Sequence, residues 1–259
     1  MIGCIIQARM GSTRLPGKVM ELLDGKHPSL FFTVNQIKNV KNIDRIIVAT
    51  TDQEEDDIIE KFLKKKDIEC FRGNSGDVLD RYYQCAKNYE LDKIVRITAD
   101  CPLIDPQIID KALEEFDRSD VEYIQNLEPR TFPDGMDVEI FTFEILEEAW
   151  KEADLPSERE HVTPYFRNNK KIRMRNFHNS KDLSFHRWTL DYNEDLELIR
   201  KLIDKISHRP IFMEHILTLF SEEPDLFDIN RKYEANDGYK LSLEKDKMYL
   251  NNKSKSKQN

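Results

Sequence analysis

Residues 2–18 read Ile2-Gly3-Cys4-Ile5-Ile6-Gln7-Ala8-Arg9-Met10-Gly11-Ser12-Thr13-Arg14-Leu15-Pro16-Gly17-Lys18. The opening run, Ile2–Ile6, is short and apolar, the pattern of a strand buried on both faces of a parallel sheet. It passes straight into a loop holding two glycines, a proline and three cations. Working outward, Arg45–Thr50 and Ile94–Thr98 repeat the strand pattern, and Ile68–Phe71, Val121–Gln125, Met136–Phe141, Ile172–Phe177 and Phe185–Leu190 carry it more weakly. Between them lie helical spacings. Glu54–Lys66 puts Ile58, Ile59, Phe62 and Leu63 on one stripe, and Asp77–Tyr89 and Gln107–Phe116 behave alike. Pro106 and Pro156 stand where helices begin. Strand–helix–strand alternation as far as Phe116 implies an α/β fold with a mostly parallel central sheet and helices on both faces. Ligands of such sheets sit beyond the carboxyl ends of the strands, so the loop after the first strand is where chemistry is expected.

Composition narrows the class. The 259 residues are 39% hydrophobic and 34% charged, with a net charge of −9. Such a balance repels nucleic acid at long range, so an anionic ligand has to be met by a local basic cluster or by metal ions. No stretch approaches the ~18 apolar residues of a membrane helix, and the opening run is too short for a signal peptide. A cytoplasmic protein that engages neither membrane nor nucleic acid is expected. Cys4, Cys70, Cys85 and Cys101 are scattered without ligand spacing, which reads as free thiols rather than a zinc site. Residues 1–239 are read as one catalytic domain and the lysine-rich 240–259 as a disordered tail.

In the loop, exposed backbone amides and the charges of Arg9, Arg14 and Lys18 suit phosphate. A plain surface loop is the alternative. It is not a Walker A loop, because five residues separate Gly11 from Gly17 and Val19 follows Lys18 where a magnesium-binding hydroxyl belongs.

The run Gln7–Lys18 resembles the signature of the cytidylyltransferases that activate sugar acids, such as the CMP-ketodeoxyoctonate and CMP-acylneuraminate synthetases, and is closest to the spore-coat polysaccharide F-type branch. The likeness continues at Arg72-Gly73-Asn74, Asp77–Tyr83, Thr98–Pro106, Pro133–Glu139, Arg159–Pro164 and Arg187–Asp191, in order over roughly residues 1–205. The resemblance implies a Rossmann-like nucleotide-diphospho-sugar transferase fold and transfer of CMP from CTP to an anionic acceptor with release of pyrophosphate. It implies Lys18 and Arg9 as catalytic residues, and Ala8, Arg9, Gly11, Ser12, Arg14, Lys18, Arg72 and Asp77 as nucleotide contacts. It also implies a catalytic magnesium ion (Mg2+) on Asp100 and Asp191, and an acceptor pocket and homodimer contact within 125–180.

Each assignment has a plainer reading in the residues. Asp100 and Asp191 could cap turns or helices, with Asp195 as a substitute ligand. Asp77 could cap the helix that follows it. Gln125, Glu139, Arg159, His161 and Arg187 are the acceptor contacts the resemblance points to, yet a lone histidine is more often structural and Glu139 fits a solvated strand residue equally well. The acceptor is a sugar acid of the nonulosonate or ketodeoxyoctonate type, or alternatively a polyol phosphate or phosphoamino acid. A glycosyltransferase would want Asp-x-Asp at a strand end, which is absent. A non-catalytic nucleotide binder should have lost Lys18 or one of the two aspartates, and all three are present.

Overall fold

The computed structural model describes residues 1–233 and 237–256. Seven strands form one sheet: β1 (Ile2–Gln7), β2 (Arg45–Thr51), β3 (Glu69–Gly73), β4 (Lys93–Thr98), β5 (Tyr123–Gln125), β6 (Glu139–Thr142) and β7 (Met174–Asn176), in the order β3-β2-β1-β4-β6-β5-β7. β3, β2, β1 and β4 are mutually parallel, and β6 runs antiparallel to both β4 and β5. Ten α-helices are described: α1 (Ser29–Ile37), α2 (Asp57–Lys65), α3 (Val78–Asn88), α4 (Pro106–Asp117), α5 (Phe143–Glu152), α6 (Pro156–His161), α7 (Pro164–Asn168), α8 (Asn193–Lys205), α9 (Met213–Glu222) and α10 (Asp237–Ser256).

Alternation along β1 sorts its side chains to two cores. Cys4 and Ile6 join the face covered by α1, α4, α8 and α9, and Ile5 joins the face covered by α3 and α5. Both faces are therefore helix-covered, as a parallel sheet requires. Strand order reverses between β1 and β4, where Gln7 pairs in register with Thr98. The loops that leave β1 and β4 consequently open on the same crevice.

Two expectations are corrected. Phe185–Leu190 is not a strand. Its pairing stops at one isolated parallel bridge between Arg187 and Asp134, with Asp134 N donating to the His186 carbonyl at 3.0 Å and Trp188 N to the Asp134 carbonyl at 2.6 Å, and Leu190 N donates to the Asp100 carbonyl at 2.8 Å. Gly135 makes this approach possible: its φ is +101°, and a Cβ there would lie 2.6 Å from the Trp188 carbonyl carbon.

The basic tail is not disordered over its described part. α10 packs on α6, where the N-cap position falls on Leu155, whose side chain carries no acceptor. Asp246, buried, takes the amide of Ser157 at 2.9 Å instead. Tyr249 donates to Asp154 at 2.8 Å, and Lys245 pairs with Glu160 at 3.1 Å. Two of the lysines that marked the segment as a tail meet carboxylates near the two ends of α6: Lys245 meets Glu160 and Lys253 meets Asp154. Residues 257–259 of that expectation lie outside the described residues. Segment 125–180 contributes the last residue of β5 and all of β6 and β7 to the common sheet. α1 carried no helical signal because seven of its nine residues are buried, leaving no polar face. The four cysteines are free thiols, and no helix among the described residues is long and apolar enough to cross a membrane.

Candidate active site

The loop after β1 is fastened at both ends. Ala8 N donates to the Ala49 carbonyl at 3.1 Å, Met10 N to Asp56 at 2.7 Å, and Gly17 N to the Met10 carbonyl at 3.0 Å. The Ser12 hydroxyl accepts from Leu15 N at 3.2 Å, and Gly17 takes φ +74°. The loop thereby turns back and drives Lys18 inward. Its ammonium lies between two carboxylates, 2.7 Å from Asp100 Oδ2 and 2.6 Å from Asp191 Oδ1. Arg14 meets the other Asp191 oxygen at 2.8 Å. Burial opposes ionisation of Asp191, but Lys18 and Arg14 outweigh it and hold the carboxyl at about 2. Burial likewise disfavours the Lys18 ammonium, and the two aspartates more than reverse this, raising its pKa. The two carboxylates converge on one cationic point.

Asp195, the substitute ligand, is fully buried and takes no part in that cluster. It accepts from the amides of Asp191 and Tyr192, both at 3.0 Å, from Asn230 at 2.8 Å, and from Arg187 Nε at 3.0 Å. Arg187 in turn reaches Asp134 at 2.8 Å and Asp191 at 3.3 Å. Expected as an acceptor contact, Arg187 instead ties together the carboxylates behind the site, although it still lines a cavity.

Two larger cavities open here. One, of about 380 Å³, is walled by Ala8, Arg9, Gly11, Ser12, Arg14 and Lys18 on one side and by Glu160, His161, Ser242 and Lys245 on the other. The second, of about 280 Å³, lies over β4 and β6 and carries six carboxylates (Asp100, Glu128, Asp134, Asp137, Glu139, Asp191) against four guanidinium groups (Arg14, Arg96, Arg167, Arg187). Glu139 is not a solvated strand residue. It is buried, held by Arg96 and the Tyr123 hydroxyl, and its pKa is lowered because Arg96 and Arg167 outweigh the burial that would raise it.

Other expected residues are placed elsewhere. Arg72 pairs with Asp57 at 2.6 Å and Glu60 at 2.8 Å, and donates to the Thr51 carbonyl at 3.0 Å, which fastens β2 to α2. Asp77 caps α3 by accepting from Asp80 N at 2.9 Å, and also receives Arg159 Nε at 2.8 Å, which pins α6 to α3. Arg159 therefore lies outside the acid-lined cavity over β4 and β6. Gln125 shapes the turn below it, donating to the Glu128 carbonyl at 3.0 Å. Sequence reasoning passed over Arg96, Arg167, Tyr239, Ser242 and Lys245. Arg96 carried a signal, as a charged residue inside an otherwise apolar central strand. The others follow from packing that joins distant segments.

His161 Nε2 lies 2.9 Å from Ser242 Oγ. Burial lowers its pKa to about 4, against the pull of Glu160. It is neutral when folded at pH 5–8. Unfolded, it binds a proton near 6.5, so between pH 6.5 and 4 the unfolded chain holds more protons and stability falls as pH falls. Chemical denaturation across that window should show His161 contributing a loss on the order of 2 kcal/mol. The His161→Gln variant should lack that part of the slope, and an unchanged slope would refute the assignment.

A cation-bearing loop at the mouth of β1, paired aspartates beside it and a second polar cavity across the crevice define a nucleotidyltransferase. A sequence model described as Cytidylyltransferase matches residues 3–228. The chain is 34% identical to the spore coat polysaccharide biosynthesis protein SpsF of Bacillus subtilis (strain 168), over 85% of this chain and 94% of that one. It is 36% identical to a 3-deoxy-manno-octulosonate cytidylyltransferase of Trichlorobacter lovleyi, over 44% of each chain. A solved cytidylyltransferase from Leptospira borgpetersenii superposes with a TM-score of 0.83 at 37% identity, covering 87% of this chain and 96% of that one. The chain belongs to the cytidylyltransferase family.

Proposed function

We propose that this enzyme transfers CMP from CTP to a sugar acid of the nonulosonate or ketodeoxyoctonate type, releasing pyrophosphate, in the synthesis of a surface polysaccharide. The observation that carries the reading is the Asp100–Lys18–Asp191 cluster, set between the loop cavity and the acid-lined cavity. The name of the Trichlorobacter relative supports a sugar-acid acceptor, and that of the Bacillus relative supports polysaccharide synthesis.

The loop cavity would take the triphosphate, with Arg9, Arg14, Lys18 and the amides near Gly11 and Ser12 around it. The acceptor oxygen would attack the α-phosphorus in line from the other cavity. Lys18 and Arg14 would then exchange part of their pairing with aspartate for phosphate oxygens, stabilising charge as the pyrophosphate departs. The donor set fits a magnesium ion. Two carboxylate oxygens already converge on one cation, and no cluster of three His, Cys, Asp or Glu ligands occurs among the described residues, so phosphate and water oxygens would complete the shell. When bound on Asp100 and Asp191, magnesium would neutralise phosphate charge.

The excess of carboxylates in the acceptor cavity favours a polyhydroxylated acceptor with one carboxylate over a doubly charged phosphate ester. Arg167, 3.9 Å from Glu128, bonded to the Tyr239 side chain and acting on Glu139 at longer range, lines this cavity and is the cation we assign to that carboxylate. A homodimer belongs to the same reading, and sedimentation velocity tests it. The decisive assay is pyrophosphate release with CTP and magnesium against sugar acids, polyol phosphates and phosphoamino acids, with ATP, GTP and UTP as controls. Release confined to CTP and a sugar acid is expected. Release with a phosphate-bearing acceptor alone would replace the acceptor, and CTP binding without release on any acceptor would overturn the enzymatic reading.

A further inference from the structure

A third, smaller cavity of about 120 Å³ adjoins the other two, and Gln7 and His161 line all three. Nucleotidyl transfer has three arms at the α-phosphorus: the attacking acceptor, the leaving pyrophosphate, and the ribose that carries the base. The acid-lined cavity suits the acceptor and the loop cavity suits the polyphosphate, which leaves the small one for the base. Its walls include the apolar Ala8 and Val78, and Arg81 from α3.

Arg81 is an anomaly in physical terms. It is 1% exposed, and no carboxylate among the described residues pairs with it. Its Nη1 donates to the Asn74 carbonyl at 2.9 Å, while Nε is buried with no partner. Asp52 and Asp56 act on it only at longer range, Asp56 being taken up by Met10 N, and Arg9 adds repulsion. Burial accordingly lowers its pKa. A buried cation without a counter-ion is costly and persists where a ligand uses it. The chain also makes room for this side chain: a Cβ on Gly73 would come within 3.1 Å of Arg81 Cγ and 2.9 Å of Phe71.

We propose that Arg81 reads the nucleobase, its guanidinium donating to the adjacent N3 and O2 acceptors of cytosine. Uracil presents an N–H at N3 and opposes such a donor pair. Glu160, on the same cavity, offers an acceptor for the exocyclic amine that cytosine has and uracil lacks. The inference rests on the nucleotidyl-transfer reading and adds to it the residue that selects the base.

Calorimetric titration of the full chain with CTP, UTP and inorganic tripolyphosphate tests it. In Arg81→Met, CTP affinity should fall about 10- to 100-fold and the CTP-over-UTP preference should collapse. Tripolyphosphate affinity should stay unchanged, and the melting temperature should hold or rise because an unpaired buried charge is gone. Arg81→Lys keeps a charge but not the fork, and should lose the preference too; it decides the matter if the methionine variant does not fold. A retained CTP-over-UTP preference in a folded variant would overturn the role of Arg81 while leaving the enzyme reading intact. A wild-type protein without any preference for CTP would overturn both.

Discussion

Alanine at position 18 is expected to lower turnover with CTP by roughly 10²–10³-fold. The Lys18 ammonium is buried and bonded to Asp100 and Asp191 at 2.7 and 2.6 Å, so its removal takes away the one cation lying between both carboxylates. Two effects then act together. On the proposed mechanism the polyphosphate would lose a fixed positive charge where negative charge accumulates as pyrophosphate leaves, and the aspartates are left facing each other with Arg14 and Arg187 on Asp191. Lys18→Arg should recover little, because a planar fork cannot sit between two carboxylates as a compact ammonium does. Single-turnover pyrophosphate release at saturating CTP is the measurement. Near-normal turnover in Lys18→Ala would remove Lys18 from the mechanism.

Alanine at position 195 should damage the fold before it damages the chemistry. Asp195 is fully buried and serves the amides of Asp191 and Tyr192, the Asn230 side chain and the Arg187 guanidinium at once. Its loss leaves Arg187 with part of its charge uncompensated and frees the start of α8, at a cost of about 3–5 kcal/mol. The part that survives folding should still lose activity, since the Asp191 backbone is fixed by this carboxylate. Urea denaturation beside the turnover assay checks both. A change below about 1 kcal/mol with intact turnover would mean that the network is redundant.

The paired Asp100 and Asp191 illustrate what the sequence carries. The motif series named both, and the structure brings them onto one lysine from positions 82 and 173 residues away from it. The parallel core was legible because Ile2–Ile6, Ile46–Thr50 and Ile94–Thr98 are largely buried on both faces and so read as short runs rich in Ile and Val, broken only by Arg96. Phe185–Leu190 has the same local pattern but pairs with a neighbour only at the single Arg187–Asp134 bridge, and pattern alone does not reveal how far pairing extends. Arg72 and Arg159 meet carboxylates of neighbouring helices for a related reason. Arginines are long enough to serve a nearby carboxylate instead of the crevice, and which acid lies in reach is decided by helix packing. Lys245 and Lys253 of α10 read as part of a solvated tail because the carboxylates that receive them, Glu160 and Asp154, lie in a distant part of the chain.

The docking of α10 has a temporal side. The amide of Ser157 is satisfied by a carboxylate that emerges from the ribosome 89 residues later. His161, which lines every arm of the crevice, finds its Ser242 partner only after a similar delay. During synthesis, then, the sheet and the loop after β1 can assemble while one wall of the crevice is still missing. The order of the chain makes a helix synthesised long after β1 the piece that completes the crevice at the end of that strand.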